Sequence, residues 1–98
     1  MNDKIRDKNV DFLFDAILTL KDREECYFFF EDLCTVPEIK TIAQRLVVAK
    51  MLSEKKVYSE IVAETGASTA TISRVNRALI YGSDGYKLAF DRMDKDKQ

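Results

Sequence analysis

The stretch Tyr58-Ser-Glu-Ile-Val-Ala-Glu-Thr-Gly-Ala-Ser-Thr-Ala-Thr-Ile-Ser-Arg-Val-Asn-Arg-Ala-Leu79 reads as two short helices joined by a sharp turn. The first helix, around 58–64, is expected to turn Ile61 and Val62 inward, with Ala63 small enough for close packing. Gly66 follows its last residues, where a left-handed backbone ends a helix at no steric cost. Ser68 is a helix N-cap by type. In the second helix, continuing to about Ile80, Ile72, Val75 and Leu79 recur at i, i+3 and i+7 and predict one buried stripe. That leaves Thr69, Ala70, Thr71, Ser73, Arg74, Asn76 and Arg77 on the open side. Two helices set roughly 90–120° apart by a glycine-containing turn form a helix-turn-helix, here spanning 57–80. Small hydroxyl residues at the start of the second helix let it sink into a DNA major groove and donate to phosphates and bases, and the helix amino end itself favours anions. A hairpin that only packs is the competing reading. Under it, Arg74 and Arg77 are solvated cations and Thr71 is a cap or a packing residue.

Working outward, Ser53–Lys56 is a polar break that places Lys55 and Lys56 ahead of the motif. With Ser59 they stand where a phosphate backbone would pass, although a solvated loop explains the lysines equally well. Upstream, Thr35-Val36-Pro37-Glu38 is a helix start: Thr35 as N-cap, Glu38 as its reciprocal partner, Pro37 in the first turn. That helix is expected to carry Ile39, Ile42, Ala43, Leu46, Val47 and Val48 to about Leu52. Asp22 and Glu25 form a similar capping pair ahead of Cys26-Tyr27-Phe28-Phe29-Phe30. Five consecutive apolar residues on one helix present hydrophobic surface on every side, more than one neighbouring face in a 98-residue chain covers. A second protomer is therefore expected over them. A short buried strand is the other reading of that run, without an evident partner strand. Nearer the N-terminus Val10, Leu13, Phe14 and Ile17 follow a helical spacing, widened by Phe12, Leu18 and Leu20. Past a break at Gly82, Ser83 and Gly85, the residues Tyr86, Ala89, Phe90 and Met93 predict a last amphipathic helix over 83–93, with a frayed tail over 94–98.

The chain has 98 residues, is 46% hydrophobic and 34% charged, and holds only 3 Gly and 1 Pro, which excludes a disordered tail and a turn-rich β fold. The expectation is one all-α domain, with dimerisation helices over 10–53. Net charge is −1, which by itself offers nucleic acid no attraction. The total conceals an uneven layout. Residues 1–44 hold six bases against ten acids, net −4; residues 45–80 hold Arg45, Lys50, Lys55, Lys56, Arg74 and Arg77 against three acids, net +3; the remainder is balanced. A basic segment of this kind carries a phosphate-facing surface only if its cations share a face.

With 0 His, serine–histidine and cysteine–histidine nucleophile pairs and histidine-ligated metals are excluded. Cys26 and Cys34 stand eight apart and fit no metal or redox spacing; Cys26, opening an apolar run, is expected to be a reduced, buried thiol. The pairs Glu24-Glu25 and Glu31-Asp32 lack a nucleophile, metal set or glycine-rich loop nearby and read as solvated faces, so no enzyme is expected. Alternating charges at Asp3, Lys4, Arg6, Asp7 and Lys8 argue against a secretory leader, and no apolar run approaches a membrane span. A cytoplasmic protein with no membrane partner is expected.

The residues Ile39-Lys-Thr-Ile-Ala-Gln-Arg-Leu-Val-Val-Ala-Lys-Met-Leu52 and Thr65-Gly-Ala-Ser-Thr-Ala-Thr-Ile-Ser-Arg74 resemble the Trp repressor superfamily, and most closely the Trp-repressor-related YerC/YecD family. The resemblance covers roughly residues 10–93. It implies six helices, with the N-terminal ones interlocking two chains into a homodimer. It also implies a corepressor site between the core and recognition helices, flanked in the Trp repressor by two arginines. Arg74 matches the recognition-helix arginine. The other matches Arg45, or Gln44 in an ungapped alignment, and that register stays open. The family's glycine after the recognition-helix arginine is Val75 here, and a serine near its ligand is Ala78. These departures argue against tryptophan and fit a different small, amino-acid-like ligand, or none.

Together these readings predict a dimeric, sequence-specific DNA-binding transcriptional regulator, a repressor acting on double-stranded palindromic DNA. The contacts are expected from Ser68, Thr69, Ala70, Thr71, Ser73, Arg74 and Arg77, braced by Lys55, Lys56 and Ser59. The alternative is a helical, dimeric protein-interaction module without DNA binding.

Overall fold

The computed structural model describes residues 3–96. Among them are six α-helices and no strand, as the helical spacings predict: α1 (Lys8–Ile17), α2 (Arg23–Leu33), α3 (Val36–Ser53), α4 (Tyr58–Thr65), α5 (Thr69–Tyr81) and α6 (Gly85–Asp96), preceded by a single 3-10 turn at Asp3–Ile5. The apolar run 26–30 lies within α2, so the strand reading of it is excluded. The last helix continues past Met93 to Asp96, so residues 94–96 are helical rather than frayed; Lys97 and Gln98 fall outside the described residues.

Four helices start on a side-chain oxygen that satisfies a free N–H of the first turn. Asp7 Oδ1 accepts from Val10 N at 2.8 Å, Asp22 Oδ1 from Glu25 N at 2.9 Å, Thr35 Oγ1 from Glu38 N at 3.2 Å, and Ser68 Oγ from Thr71 N at 3.1 Å. At Thr35 the exchange is reciprocal, Thr35 N donating to Glu38 Oε1 at 2.8 Å. Glu25 instead reaches one residue further back, accepting from Lys21 N at 2.8 Å.

The reciprocal cap at α3 makes a pH-dependent contribution. The backbone N–H of Thr35, and then its hydroxyl, favour the charged form of Glu38 and hold its carboxyl below the usual value of 4.5. A group whose pKa is lowered on folding stabilises the fold above its unfolded pKa, and that gain disappears as the pH falls through the lowered value. Glu38→Gln keeps an acceptor for the Thr35 N–H but cannot titrate. It should therefore flatten the acid side of the melting-temperature profile below pH about 4.5 while leaving neutral-pH stability close to wild type. An unchanged acid profile in that variant would remove Glu38 from the pH response.

The chain divides into two compact units, Met1–Ile39 and Lys40–Gln98. In the first, none of the described residues is buried. Phe12, Leu18, Tyr27 and Phe28 are each at least 60% exposed, and Phe29 and Phe30 form an edge-to-face pair at 5.4 Å between centroids. Cys26 is exposed and Cys34 half-buried, both as free thiols. The buried thiol expected at Cys26 is thus corrected: the apolar run encircles α2, and a single chain leaves much of that circumference open.

The second unit holds the core. Val48, Ala49, Met51 and Leu52 of α3, Ile61 of α4, Ala67 in the turn, Ile72 and Val75 of α5 and Phe90 of α6 are its buried residues, with Leu79 and Tyr86 packed against them. Val62, expected inward, is exposed, and Ala63, expected to allow close packing, is exposed too; α4 has only eight residues and a single one of its side chains, Ile61, reaches the core. On α3, Ile42, Leu46 and Val47 stay largely exposed, so the apolar face anticipated from 39 to 48 is only in part a core face of this chain. Lys50 ties α6 to α3: its ammonium lies 5.1 Å from the centre of the Phe90 ring and 3.8 Å from Asp94 Oδ1.

Candidate nucleic-acid interface

The turn between α4 and α5 is built by three neighbouring residues. Gly66 takes φ 72°, and its N–H donates to Val62 O at 2.9 Å, closing α4 with a left-handed cap that a side chain would strain. Thr65 Oγ1 donates to Ile61 O at 2.7 Å and accepts from Ala67 N at 3.1 Å, so one hydroxyl bridges the last turn of the helix to the loop. Ala67 is buried at 2% exposure and pins the loop to the core. Ser68 then caps α5, and its hydroxyl also donates to Thr71 Oγ1 at 3.0 Å.

With Ile72 and Val75 buried on the inner side of α5, Thr69, Ala70, Ser73, Arg74 and Arg77 are exposed on the outer side, and Thr71 and Asn76 are half-buried. The anticipated face therefore exists as one surface. Within it Ser68 and Thr71 are engaged with each other, while no described carboxylate lies within ion-pair distance of Arg74 or Arg77. At the other end of the motif, Ser59 is exposed in the first turn of α4. Lys56 pairs with Glu60 at 3.4 Å, one helical turn away, which offsets part of its charge. Lys55 closes α3: it sits at φ 65°, its N–H donates to Leu52 O at 3.0 Å, and Lys56 N donates to Met51 O at 3.1 Å. This is the double bond pattern of a Schellman cap with lysine where glycine is preferred.

A cleft of about 240 Å³ opens on the second unit, walled by Thr41, Gln44 and Arg45 of α3, Thr71, Arg74, Val75 and Ala78 of α5, and Tyr86 of α6. Gln44 does a second task there: its Nε2 donates to Thr65 O at 3.1 Å, tying α3 to the end of α4. Tyr86 is held in place by stacking on Phe90, 6.1 Å between centroids and 18° between planes. No grouping of Cys, Asp and Glu suited to a metal ion occurs among the described residues, and none of their helices is long and apolar enough to cross a membrane.

The sequence pattern of the Trp repressor protein family matches residues 8–94. The chain belongs to the Trp repressor family. It is 62% identical over 91 residues to the uncharacterized protein YerC of Bacillus subtilis, covering 93% of this chain and 88% of that one. A crystal structure of a Staphylococcus aureus protein provisionally described as a Trp repressor superposes with a TM-score of 0.91 at 57% identity, covering 96% and 95% of the two chains. A TrpR-like protein from Eubacterium eligens superposes equally well, with a TM-score of 0.91 at 56% identity and 95% and 96% coverage. The Trp repressor family is one of regulators, not of enzymes.

All four residues that the family resemblance nominates for a small ligand, Gln44, Arg45, Arg74 and Val75, line the single cleft described above. Neither register excludes the other, because Gln44 and Arg45 both reach its wall. Sequence reasoning missed Thr41 and Tyr86 in that wall and the Thr65 bridge in the turn. Thr41 lies one turn before Arg45 on α3, so helical spacing alone could have found it. Tyr86 depends on how α6 packs back on the core, which no local pattern encodes.

Proposed function

We propose that this protein is a sequence-specific DNA-binding transcriptional regulator, a cytoplasmic repressor that acts as an interlocked homodimer on a palindromic operator. The observation that carries the reading is the outer face of α5: Thr69, Ala70, Ser73, Arg74 and Arg77 exposed together, behind a glycine-capped turn, on a helix fixed by Ile72 and Val75. The N-terminal turns of α5 enter the major groove, where Thr69, Ala70, Thr71, Ser73 and Arg74 meet base edges. Arg77 meets a phosphate. Ser68 holds the helix start in shape, so the free N–H groups of that first turn are presented to the backbone. Lys55, Lys56 and Ser59 brace the same strand from α4 and the loop before it. A two-fold pair of such helices reads half-sites about one helical turn apart.

A small ligand of amino-acid size in the cleft gates this activity by setting how α5 lies on α3. If it raises DNA affinity, operator DNA raises ligand affinity by the same factor. Val75 and Ala78 in the wall speak against tryptophan in this role.

Selection of bound duplexes from a random library, followed by anisotropy titrations over a salt series, tests the reading. A recovered palindrome with salt-sensitive affinity is expected. Failure to bind any duplex at low salt would leave the protein-interaction reading in its place. Arg77→Ala should weaken binding to all sequences alike and reduce the log–log salt slope by about one; an unchanged slope would take Arg77 off the phosphate.

A further inference from the structure

We propose that Lys55 is a fixed phosphate anchor for the motif, and that the strained backbone it occupies is kept for the sake of its charge. This deepens the DNA-binding reading and rests on it. Two non-glycine residues among those described take a positive φ, Lys55 at 65° and Asp84 at 62°. At Asp84 that is ordinary, because a short polar side chain can bond to the local backbone and tolerates the left-handed region. Lysine has no such compensation, and its Cβ crowds the backbone where glycine would not.

The hydrogen bonds define what the position requires. Lys55 N donates to Leu52 O at 3.0 Å and Lys56 N to Met51 O at 3.1 Å, which makes Lys55 the residue where a Schellman cap favours glycine. Both carbonyls belong to core residues, so the turn is pinned and the left-handed angle comes with it. This backbone role makes no use of the lysine side chain. Lys55 is exposed and takes no part in the ion pairs among the described residues, which are Lys50–Asp94, Lys56–Glu60 and Lys87–Asp91. A position that breaks a local rule without a structural return marks a functional one. What Lys55 carries is an uncompensated charge just ahead of α4, whereas Lys56 spends part of its own on Glu60, 3.4 Å away. A cation on a pinned turn suits a phosphate contact, which fixes how the protein sits on the duplex without reading its sequence. The competing role, a charge answering the negative end of α3, predicts the opposite change in stability when glycine replaces the lysine.

The test uses the full chain, with melting temperatures and anisotropy titrations against a selected and a random duplex over a salt series. Lys55→Gly removes strain and charge together. Its melting temperature should rise by about 2–6 °C. Its Kd for both duplexes should weaken about 10- to 50-fold near 0.1 M salt, with the log–log slope falling by about one per bound protomer. Lys55→Gln keeps the Cβ and loses the charge, so it should lose the same affinity without the gain in stability. Lys55→Arg should restore the slope. Lys95→Gln removes an equal charge from the exposed last turn of α6 and should leave the slope unchanged.

The proposal is overturned if Lys55→Gly melts at or below the wild-type temperature, which would assign the lysine to the helix end. It is overturned equally if Lys95→Gln lowers the slope as much as Lys55→Gln does, since bulk charge would then suffice. Wild-type binding with an unmoved slope in Lys55→Gly and Lys55→Gln sinks this inference alone. A wild-type chain that binds no duplex at low salt sinks the regulator reading and this inference with it.

Discussion

Ile72→Ala is expected to lower stability by about 3 kcal/mol, and the melting temperature by roughly 12–24 °C for a chain of this size. Ile72 is fully buried, as is Ile61 of α4, and both belong to the one buried cluster of the second unit. Removing three carbons from a closed site forfeits their transfer energy and adds the cost of the cavity left behind. Collapse around the site is limited, because α4 has eight residues and its end is already tied by Thr65 and Gln44. The substitution leaves every exposed residue of the α5 face unchanged. DNA affinity measured well below the new melting point should therefore fall much less than stability does. A melting temperature within a few degrees of wild type would show that the motif does not depend on this core.

The second large effect is expected at the first unit. With no buried residue there, residues 3–39 lack a core of their own, and so little enclosed apolar surface does not hold three helical segments in place. In the proposed homodimer a second copy covers Phe12, Leu18, Tyr27 and Phe28. Phe28→Asp places a charge on that surface twice per dimer. At about 2 kcal/mol per site the combined change is about 4 kcal/mol, roughly a thousandfold in dimer Kd. Sedimentation equilibrium at micromolar concentration should show wild-type dimer and variant monomer. The wild-type melting temperature supplies a reading independent of how the variant folds, and should rise with protein concentration. A monomeric wild-type chain with a concentration-independent transition would overturn the interlocked dimer.

Much of the architecture was legible because it is locally encoded. Thr35 with Glu38, Asp22, Gly66 and Ser68 each announce a helix end through a backbone need that few residue types meet, and each is found in that role, while Glu25 closes on the N–H of Lys21 rather than that of Asp22. The stripe of Ile72 and Val75 was equally readable from spacing. The errors share one cause: polarity of a residue does not say which partner covers it. Val62 and Cys26 are apolar and were expected inward, yet in the single chain they face outward. The cleft was half legible. Its two arginines came from family likeness and Thr41 follows from its helical spacing to Arg45, whereas Tyr86 joins it through the packing of α6. Lys55 was anticipated as a loop cation, but its left-handed backbone was not, because nothing about lysine signals it.

The hydrogen bond from Gln44 to Thr65 has a mechanical implication. The same amide that forms part of the cleft wall grips the carbonyl at the end of α4, so cleft and turn are joined directly rather than through a long relay. An occupant that leaves the grip intact stiffens the joint between the two helices of the motif. One that recruits the amide for itself releases the joint and lets α4 pivot. For the ligand proposed above, the difference between a clamp and a release would turn on whether it leaves or takes this amide.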